Sequence, residues 1–169
     1  IPQFLFLSAS VNNDNAITFL GTLALYLLLR LLRVETLAEV SALTSTRRWA
    51  VLGLVIGLAL LSKLSAWALP VPTAIVILLV SWHNRSLRVV WRAGLAIAIP
   101  ALGLAAWWYV RNFLLYGEPT GLTAMWKVVG RRNDFGQDLW GEFRALRHSF
   151  WGLFGWFSIA MPTAVYRVL

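Results

Sequence analysis

Apolar runs long enough to cross a membrane dominate the chain, and short polar stretches separate them. The first such run is Ala16 to about Leu32, and the last is Ala93 to Val110. Between them, residues 49–82 are apolar except for a break at residues 62–65, so they predict two spans, about 49–62 and 64–82. Because a helix needs ~20 mostly apolar residues to cross a bilayer, the pattern predicts an all-α fold, a polytopic membrane helix bundle.

Residues 111–150 are more polar and predict an extracytoplasmic segment with a turn at residues 118–121. Within this segment apolar residues recur at spacings of four and three, opposite charged residues, which predicts a helix lying in the membrane interface. The apolar positions are Phe143, Leu146, Phe150, Phe154 and Phe157, and the polar ones are Glu142, Arg144, Arg147 and His148. Residues 158–169 are expected to begin a further span, and the chain as a whole, 1–169, is expected to be a fragment of a larger membrane protein.

Composition agrees with a bilayer environment. The chain is 59% hydrophobic and only 13% charged, with a mean hydropathy of +0.70, values outside the usual range of soluble domains. The net charge of +8 does not indicate a nucleic-acid partner, because Arg and Lys in short connections orient helices and contact anionic lipids. The absence of Cys excludes disulfides and thiolate metal sites.

The Arg-rich connections predict the topology. Residues 33–48 and 83–92 carry most of these Arg side chains and are therefore predicted to face the cytoplasm. The polar residues before Ala16 and the turn at Lys63 then face the other side. Residues 49–82 make roughly 50 Å of helix at ~1.5 Å per residue, less than the ~60 Å that two crossings need, so the Lys63 turn is expected to lie below the outer surface. Gly53 and Gly57 form a small-residue pair suited to close helix packing.

The candidate chemistry lies at the predicted outer helix ends. The polar residues before the first span have two interpretations. Asn13, Asp14 or Asn15 caps the first helix, or Asp14 is a ligand, substrate or metal contact. Lys63 and Arg111 also have two interpretations. Lys63 extends its ammonium group to the membrane surface (snorkelling) and Arg111 contacts lipid headgroups, or both residues line a cavity shared with Asp14. An acid beside two cations suits a phosphate leaving group, whose developing charge the cations would stabilise.

Three stretches resemble a known family. PQFLFLSASVNND (residues 2–14), followed by a long span ending in Arg30, is similar to the second acidic motif of C-type (GT-C) polyprenyl-phosphate-dependent glycosyltransferases, of the protein-mannosyltransferase and aminoarabinose-transferase kind. GLALLSK (57–63) resembles their Gly…Thr-Lys element, with Ser62 in the Thr place, and WWYVRN (107–112) with YGEPT (116–120) resembles their Trp-Tyr-x-Arg-Asn…Tyr-Gly-x-Pro stretch.

The resemblance implies an enzyme in the bacterial plasma membrane that moves a sugar from a polyprenyl phosphate or pyrophosphate to an acceptor on the extracytoplasmic face. The usual catalytic base of the family is an acidic residue in the first external loop, which would lie upstream of Ile1. A supporting catalytic role is implied for Asp14 with Asn13, and phosphate contacts for Lys63 and Arg111. Metal dependence stays open, with Asp14 the ligand of any divalent metal. Donor or acceptor contacts are implied for Asn12, Asn112 and Tyr116.

Two other classes compete with the transferase. A secondary transporter would use Asp14 and Lys63 as a coupling pair, although such sites tend to lie near mid-membrane on broken helices repeated in two halves, and no internal repeat is visible. A non-catalytic membrane subunit would need neither the polar residues 12–15 nor a sunken Lys63. The transferase is therefore the leading hypothesis.

Overall fold

The structure is a computed structural model that describes residues 2–10, 12–37, 42–130, 138–154 and 159–168. The chain divides into two compact units. The larger unit comprises residues 16–124, and the smaller unit comprises residues 1–15 together with 125–169. Each unit is described by itself.

Long helices build the larger unit. Helix α2 (Asn13–Leu37) enters it from the smaller unit and is followed by α3 (Ala42–Ser62), a 3-10 helix (Leu64–Ala68), α4 (Pro70–His83) and α5 (Arg88–Tyr116). Within the described residues, four segments are long and apolar enough to cross a membrane: Asn13–Thr36, Ser45–Ser62, Leu64–His83 and Arg88–Tyr116. The prediction of four apolar spanning helices is confirmed at this level, and these helices indicate a membrane protein.

The helix ends differ from the predicted ones. Helix α3 begins at Ala42, whereas its span was predicted from about residue 49, because Arg47 and Arg48 continue the helix beyond the apolar run. Helix α5 continues to Tyr116, beyond the predicted end of its span at Val110, so residues 111–116 are helical. It ends where Gly117 adopts a left-handed conformation (φ 73°) and its N–H donates to the Phe113 carbonyl at 2.9 Å.

The earlier start of α3 removes the length argument for a sunken Lys63. Helix α3 has 21 residues, which is about 30 Å of helix and enough for one crossing. The 3-10 helix and α4 have 5 and 14 residues, together about 30 Å as well. The helix lengths therefore do not require a sunken Lys63, and its depth in the membrane stays a prediction.

The closest helix contact is between α3 and α5, and two glycines make it possible. A Cβ atom on Gly53 would lie 2.7 Å from Pro100 Cγ and 2.8 Å from Ile97 Cα. A Cβ on Gly57 would lie 3.0 Å from Ala101 Cα. The predicted small-residue pair is thus confirmed as a packing device that lets two backbones approach.

Around this contact lies the apolar core of the larger unit. Its most fully buried large side chains are those of Trp49, Leu28, Leu52 and Val80. Helix α2 contributes through Ala24, Leu28 and Leu31, which recur at spacings of four and three and therefore share one face. The remaining faces of these helices carry many exposed apolar side chains, as expected of helices that meet lipid.

The smaller unit contains α1 (Pro2–Ser8), α7 (Leu139–Gly152), the strands β1 (Leu153–Phe154) and β2 (Ile159–Ala160), and α8 (Thr163–Val168). The strands pair antiparallel, with Leu153 opposite Ala160. Gln3 is buried, and its Oε1 accepts the Leu153 N–H at 2.8 Å. The rings of Phe6 and Phe154 meet edge to face at 5.4 Å. Helix α6 (Leu122–Val129) lies across the boundary between the two units in the chain.

Two expectations for this region need correction, and a third is not tested. Phe154 lies in β1 and not on the helix with Phe143, because α7 ends at Gly152. Phe157 lies outside the described residues. The expected span over 158–169 contains instead a two-residue strand and the six-residue α8, which Tyr166 anchors by donating to the Gly152 carbonyl and accepting the Met161 N–H at 3.0 Å. The part of the chain that the structure describes is therefore mostly helical, with one short β-ladder.

Candidate functional site

The polar turn, residues 8–10 and 12–15, is held together by its own side chains. Asn12 Oδ1 accepts the Asn15 N–H at 3.2 Å, and Asn12 Nδ2 donates to Ser10 Oγ at 2.6 Å. Asn15 Nδ2 donates to the Ser10 carbonyl at 2.6 Å, and Ser10 Oγ donates to the Leu7 carbonyl at 2.8 Å. The turn therefore has a defined shape at the start of apolar helix α2.

Asn12 is the cap of α2. It precedes the first helical residue, Asn13, and its side-chain oxygen accepts the N–H of the third helical residue, which is the usual capping bond. The sequence placed the cap on Asn13, Asp14 or Asn15, one to three positions too late. Both ends of the Asn12 amide are engaged in the turn, so the structure gives this residue a structural role. The donor or acceptor contact expected of it stays a prediction.

Asp14 is the second residue of α2 and is half-buried. A carboxylate in the first turn of a helix interacts favourably with the partial positive charge of the N-terminal amides. The Asn15 N–H is donated to Asn12 and not to Asp14. Asn13 beside it is exposed.

Lys63 occupies the break between α3 and the 3-10 helix. Its backbone is extended (φ −158°, ψ 145°), and its side chain is half-buried. The preceding Ser62 donates from Oγ to the Ala59 carbonyl at 2.8 Å, a bond that competes with continued helix at this end. The Lys63 carbonyl accepts the Ala66 N–H at 3.1 Å and so begins the 3-10 turn.

Tyr109 connects α5 to the Lys63 turn. Its hydroxyl donates to the Leu60 carbonyl at 2.9 Å and accepts from Trp67 Nε1 at 3.1 Å, and the Trp67 and Tyr109 rings meet edge to face at 5.7 Å. Leu60 and Trp67 flank Lys63 in sequence. The sequence singled out Tyr109 only as part of the WWYVRN stretch, and its spacing of three from Asn112 was a signal of a shared inward face.

Arg111 lies on a different face of α5. At ~100° per residue, Arg111 is about 160° around the helix from Tyr109, whereas Asn112 is about 60° from it. Accordingly Asn112 is buried, and its Nδ2 donates to the Pro119 carbonyl at 3.3 Å. Arg111 is exposed, with its guanidinium 5.3 Å from the centre of the Trp108 ring. Tyr116, the last residue of α5, is also exposed.

These placements decide which predicted site residues come together. The hydrogen bonds of Tyr109 bring the Lys63 turn and the 109–112 part of α5 to the same end of the larger unit. Arg111 lies at the same end of the larger unit but on the exposed face of α5. This position fits its alternative interpretation as a lipid-headgroup contact. Asp14 belongs to the smaller unit, so the cavity expected between Asp14 and Lys63 stays a prediction.

The residues that the structure describes contain no group of three His, Asp or Glu side chains that could hold a metal ion. A divalent metal at Asp14 would therefore need ligands beyond the described side chains or from a substrate.

A second polar cluster lies in the larger unit. Ser45 is fully buried, and its Oγ donates to Glu35 Oε2 at 2.9 Å while accepting from Arg92 Nη2 at 2.7 Å. Glu35 Oε1 is buried and has no hydrogen-bond partner among the described residues. Asn84 Nδ2 donates to the Glu35 carbonyl at 3.1 Å. The sequence placed Glu35 in a cytoplasmic connection, although its spacing of seven and four from buried Leu28 and Leu31 was a signal that it faces inward.

Fold and geometry together define a chain of apolar helices, four of them of membrane-spanning length, with polar groups at their ends. No protein-family profile matches this chain, and neither the curated proteins nor the solved structures contain a significant match.

Proposed function

We propose that this chain belongs to a membrane glycosyltransferase that moves a sugar from a polyprenyl phosphate or pyrophosphate to an acceptor on the extracytoplasmic face. The observation that supports the proposal is the position of Asp14. It is a half-buried carboxylate in the first turn of an apolar helix whose cap is provided by Asn12. An acidic group at such a position suits a role in chemistry at the membrane boundary.

The proposed reaction joins an acceptor oxygen to the anomeric carbon of the sugar. The bond between that carbon and the phosphate oxygen breaks, and its electron pair stays on the phosphate. The acceptor proton passes to a general base, which is not assigned to any described residue. Lys63 is proposed to stabilise the charge that develops on the phosphate, and Asp14 to orient the acceptor or the sugar.

The test replaces Asp14 with Asn in the complete protein. Asn keeps the size and hydrogen-bonding capacity of Asp and removes the charge. We expect Asp14→Asn to lower the rate of transfer by about tenfold or more and to leave thermal unfolding nearly unchanged. Release of polyprenyl phosphate from a panel of polyprenyl-phosphate-linked hexoses measures transfer independently of which sugar the enzyme prefers.

Asp138→Asn is the matched control. Asp138 is exposed, and its Oδ1 accepts the Gly141 N–H at 2.8 Å as the cap of α7. Asn also caps well, so this variant makes the same chemical change at a carboxylate with a structural function and should retain full activity. Full activity of Asp14→Asn, or no polyprenyl phosphate released by the unmodified protein from any donor, would refute the proposed function.

The role of Lys63 has a separate test. Lys63→Met keeps most of the side-chain volume and removes the charge. We expect it to weaken binding of polyprenyl phosphate, the product common to all donors, by about tenfold. Lys127 is exposed on α6, and Lys127→Met should bind the probe as the unmodified protein does. Equal losses in the two variants would assign the effect to net charge and not to a site at Lys63.

The proposed face is tested by labelling single cysteines introduced into this Cys-free chain. Ser65 and Leu87 are both exposed, and the topology puts Ser65 outside and Leu87 inside. A membrane-impermeant maleimide added to intact cells should label Ser65→Cys and not Leu87→Cys. The reverse pattern would invert the topology and place the Lys63 turn in the cytoplasm.

A further inference from the structure

A pocket of about 190 Å³ lies in the larger unit between α2 and α3. Its volume is several times the ~30 Å³ that a water molecule occupies in the liquid, so it admits a polyatomic group. Leu27, Leu31 and Val34 from α2 and Val51 from α3 form its apolar lining. The lining also contains two basic side chains, Arg30 from α2 and Arg48 from α3.

The pocket follows from helical spacing. Residues 27, 30, 31 and 34 recur at spacings of three and four and therefore share one face of α2, and residues 48 and 51 share one face of α3. No glycine is among the described residues that line this pocket. The α3–α5 contact differs in this respect, because Gly53 and Gly57 let those two helices approach closely. The branched side chains keep the two helices apart here and leave a groove.

No acidic side chain in the described lining of this groove balances the positive charges of its two arginines. Arg30 and Arg48 are both exposed, and none of the described residues that line the pocket is acidic. Arg92 in the same unit differs, because it donates to Ser45, which in turn donates to the Glu35 carboxylate. Two guanidinium groups, one from each wall, suit a phosphate, which accepts several charge-assisted hydrogen bonds.

We propose that this groove binds one anionic phospholipid, with Arg30 and Arg48 on its phosphate and the aliphatic floor against its glycerol and first acyl carbons. A soluble phosphate ester would bind the two arginines but would leave the apolar lining of the groove without an apolar partner. The helices that form the groove are of membrane-spanning length and apolar, so lipid is the ligand that reaches it at the highest local concentration. This inference does not depend on the proposed sugar transfer.

The test measures lipid binding to the complete protein in a neutral detergent by native mass spectrometry. The probes are dioleoyl phosphatidylglycerol, which is anionic, and dioleoyl phosphatidylcholine, which is zwitterionic with the same chains. We expect the first phosphatidylglycerol to bind about tenfold more tightly than phosphatidylcholine, consistent with the contribution of basic side chains near a lipid headgroup. Equal affinities would overturn the proposal.

Matched double variants locate the site. Arg30→Gln with Arg48→Gln should abolish the preference for phosphatidylglycerol. Arg33 and Arg47 lie on the same two helices, are exposed and do not line the pocket. Arg33→Gln with Arg47→Gln makes the same change in net charge and should retain the preference. An equal loss in both double variants would show a general effect of charge and would overturn the site.

A third pair of variants tests the groove without changing charge, and so decides the matter even where the arginine variants fail to fold. Val51→Trp fills the pocket, whereas Leu54 is equally exposed on α3 but does not line it. Val51→Trp should abolish tight phosphatidylglycerol binding and Leu54→Trp should not. Glycerol 3-phosphate at millimolar concentration should fail to displace the lipid. Complete displacement would identify the ligand as a soluble phosphate ester and overturn the lipid assignment.

Discussion

The contact between α3 and α5 and the polar turn at residues 8–15 order the chain by opposite means. In the first, Gly53 and Gly57 bring backbone against backbone, and the contact depends on the absence of side-chain atoms. In the second, Asn12, Asn15 and Ser10 fix the chain through side-chain hydrogen bonds over a few residues.

This difference determines how each region responds to substitution. In lipid, helices associate mainly through close packing, because lipid tails are as apolar as the side chains. Added volume at α3–α5 therefore separates the helices along their length. A lost hydrogen bond in the polar turn affects only the start of α2, so changes in chemistry there can be separated from changes in folding.

The largest effect is expected for Gly53→Leu. Its Cβ alone would lie 2.7 Å from Pro100 Cγ and 2.8 Å from Ile97 Cα, so α3 and α5 must move apart. We expect a loss of about 3 kcal/mol or more in the free energy of unfolding, at the upper end for overpacking. Reversible unfolding in mixed micelles, monitored by helical circular dichroism, gives this value.

Gly103→Leu is the control for that variant. Gly103 is exposed on α5, and a Cβ there would have no neighbour within 4 Å. Its replacement should leave stability unchanged or raise it slightly, since Leu favours helix more than Gly does. A Gly53→Leu protein as stable as Gly103→Leu would show that the glycines are not the basis of the α3–α5 contact.

A smaller effect is expected for Asn12→Ala, which removes the cap of α2 and the bond to Ser10. The expected loss is about 1 kcal/mol, typical of a lost N-cap. Asn12→Ser retains a capping oxygen and should lose only a few tenths of that amount. Amide hydrogen exchange at Asn15, whose N–H the cap accepts, should accelerate in the Ala variant and not in the Ser variant. Unchanged exchange in both would remove Asn12 as the cap.

The smallest effect is expected for Tyr109→Phe, which deletes one polar link beside the apolar contact. The hydroxyl makes two hydrogen bonds, and single interhelical hydrogen bonds in membrane proteins average about 0.6 kcal/mol. We expect a loss of about 1 kcal/mol or less, with a change in the fluorescence or nitrogen-bound proton resonance of Trp67. A loss as large as that of Gly53→Leu would mean that polar contacts, and not packing, hold this end of the larger unit together.

The sequence predicted the features that depend on apolar length and small-residue spacing. The four long apolar helices and the Gly53 and Gly57 contact were found because membrane span length and close approach leave direct patterns in composition. The helix ends were misplaced at Ala42 and Tyr116, because basic residues such as Arg48 and Arg111 end an apolar run without ending a helix.

The site was less predictable, because its partners are often main-chain atoms. Tyr109 bonds to the carbonyl of Leu60, and a carbonyl acceptor has no sequence signature. The predicted position of the cap was wrong because residues 12–15 are four similar polar residues. The cap is the residue before the first helical residue, and the sequence does not show which residue begins the helix. The roles of Asp14 and Lys63 in sugar transfer remain predictions that the variants above address.

The hydrogen bonds of Asn84 affect how the topology of this chain can be mapped. Asn84-Arg85-Ser86 has the sequence of an N-glycosylation acceptor. However, Asn84 Nδ2, the atom to which a glycan would be attached, donates to the Glu35 and Val80 carbonyls at 3.1 and 2.9 Å. Attachment of a glycan would replace one of the two Nδ2 protons and so remove one of these two hydrogen bonds. In a glycosylating host this acceptor should stay unmodified in the folded protein on either side of the membrane, so its lack of glycan carries no information about sidedness.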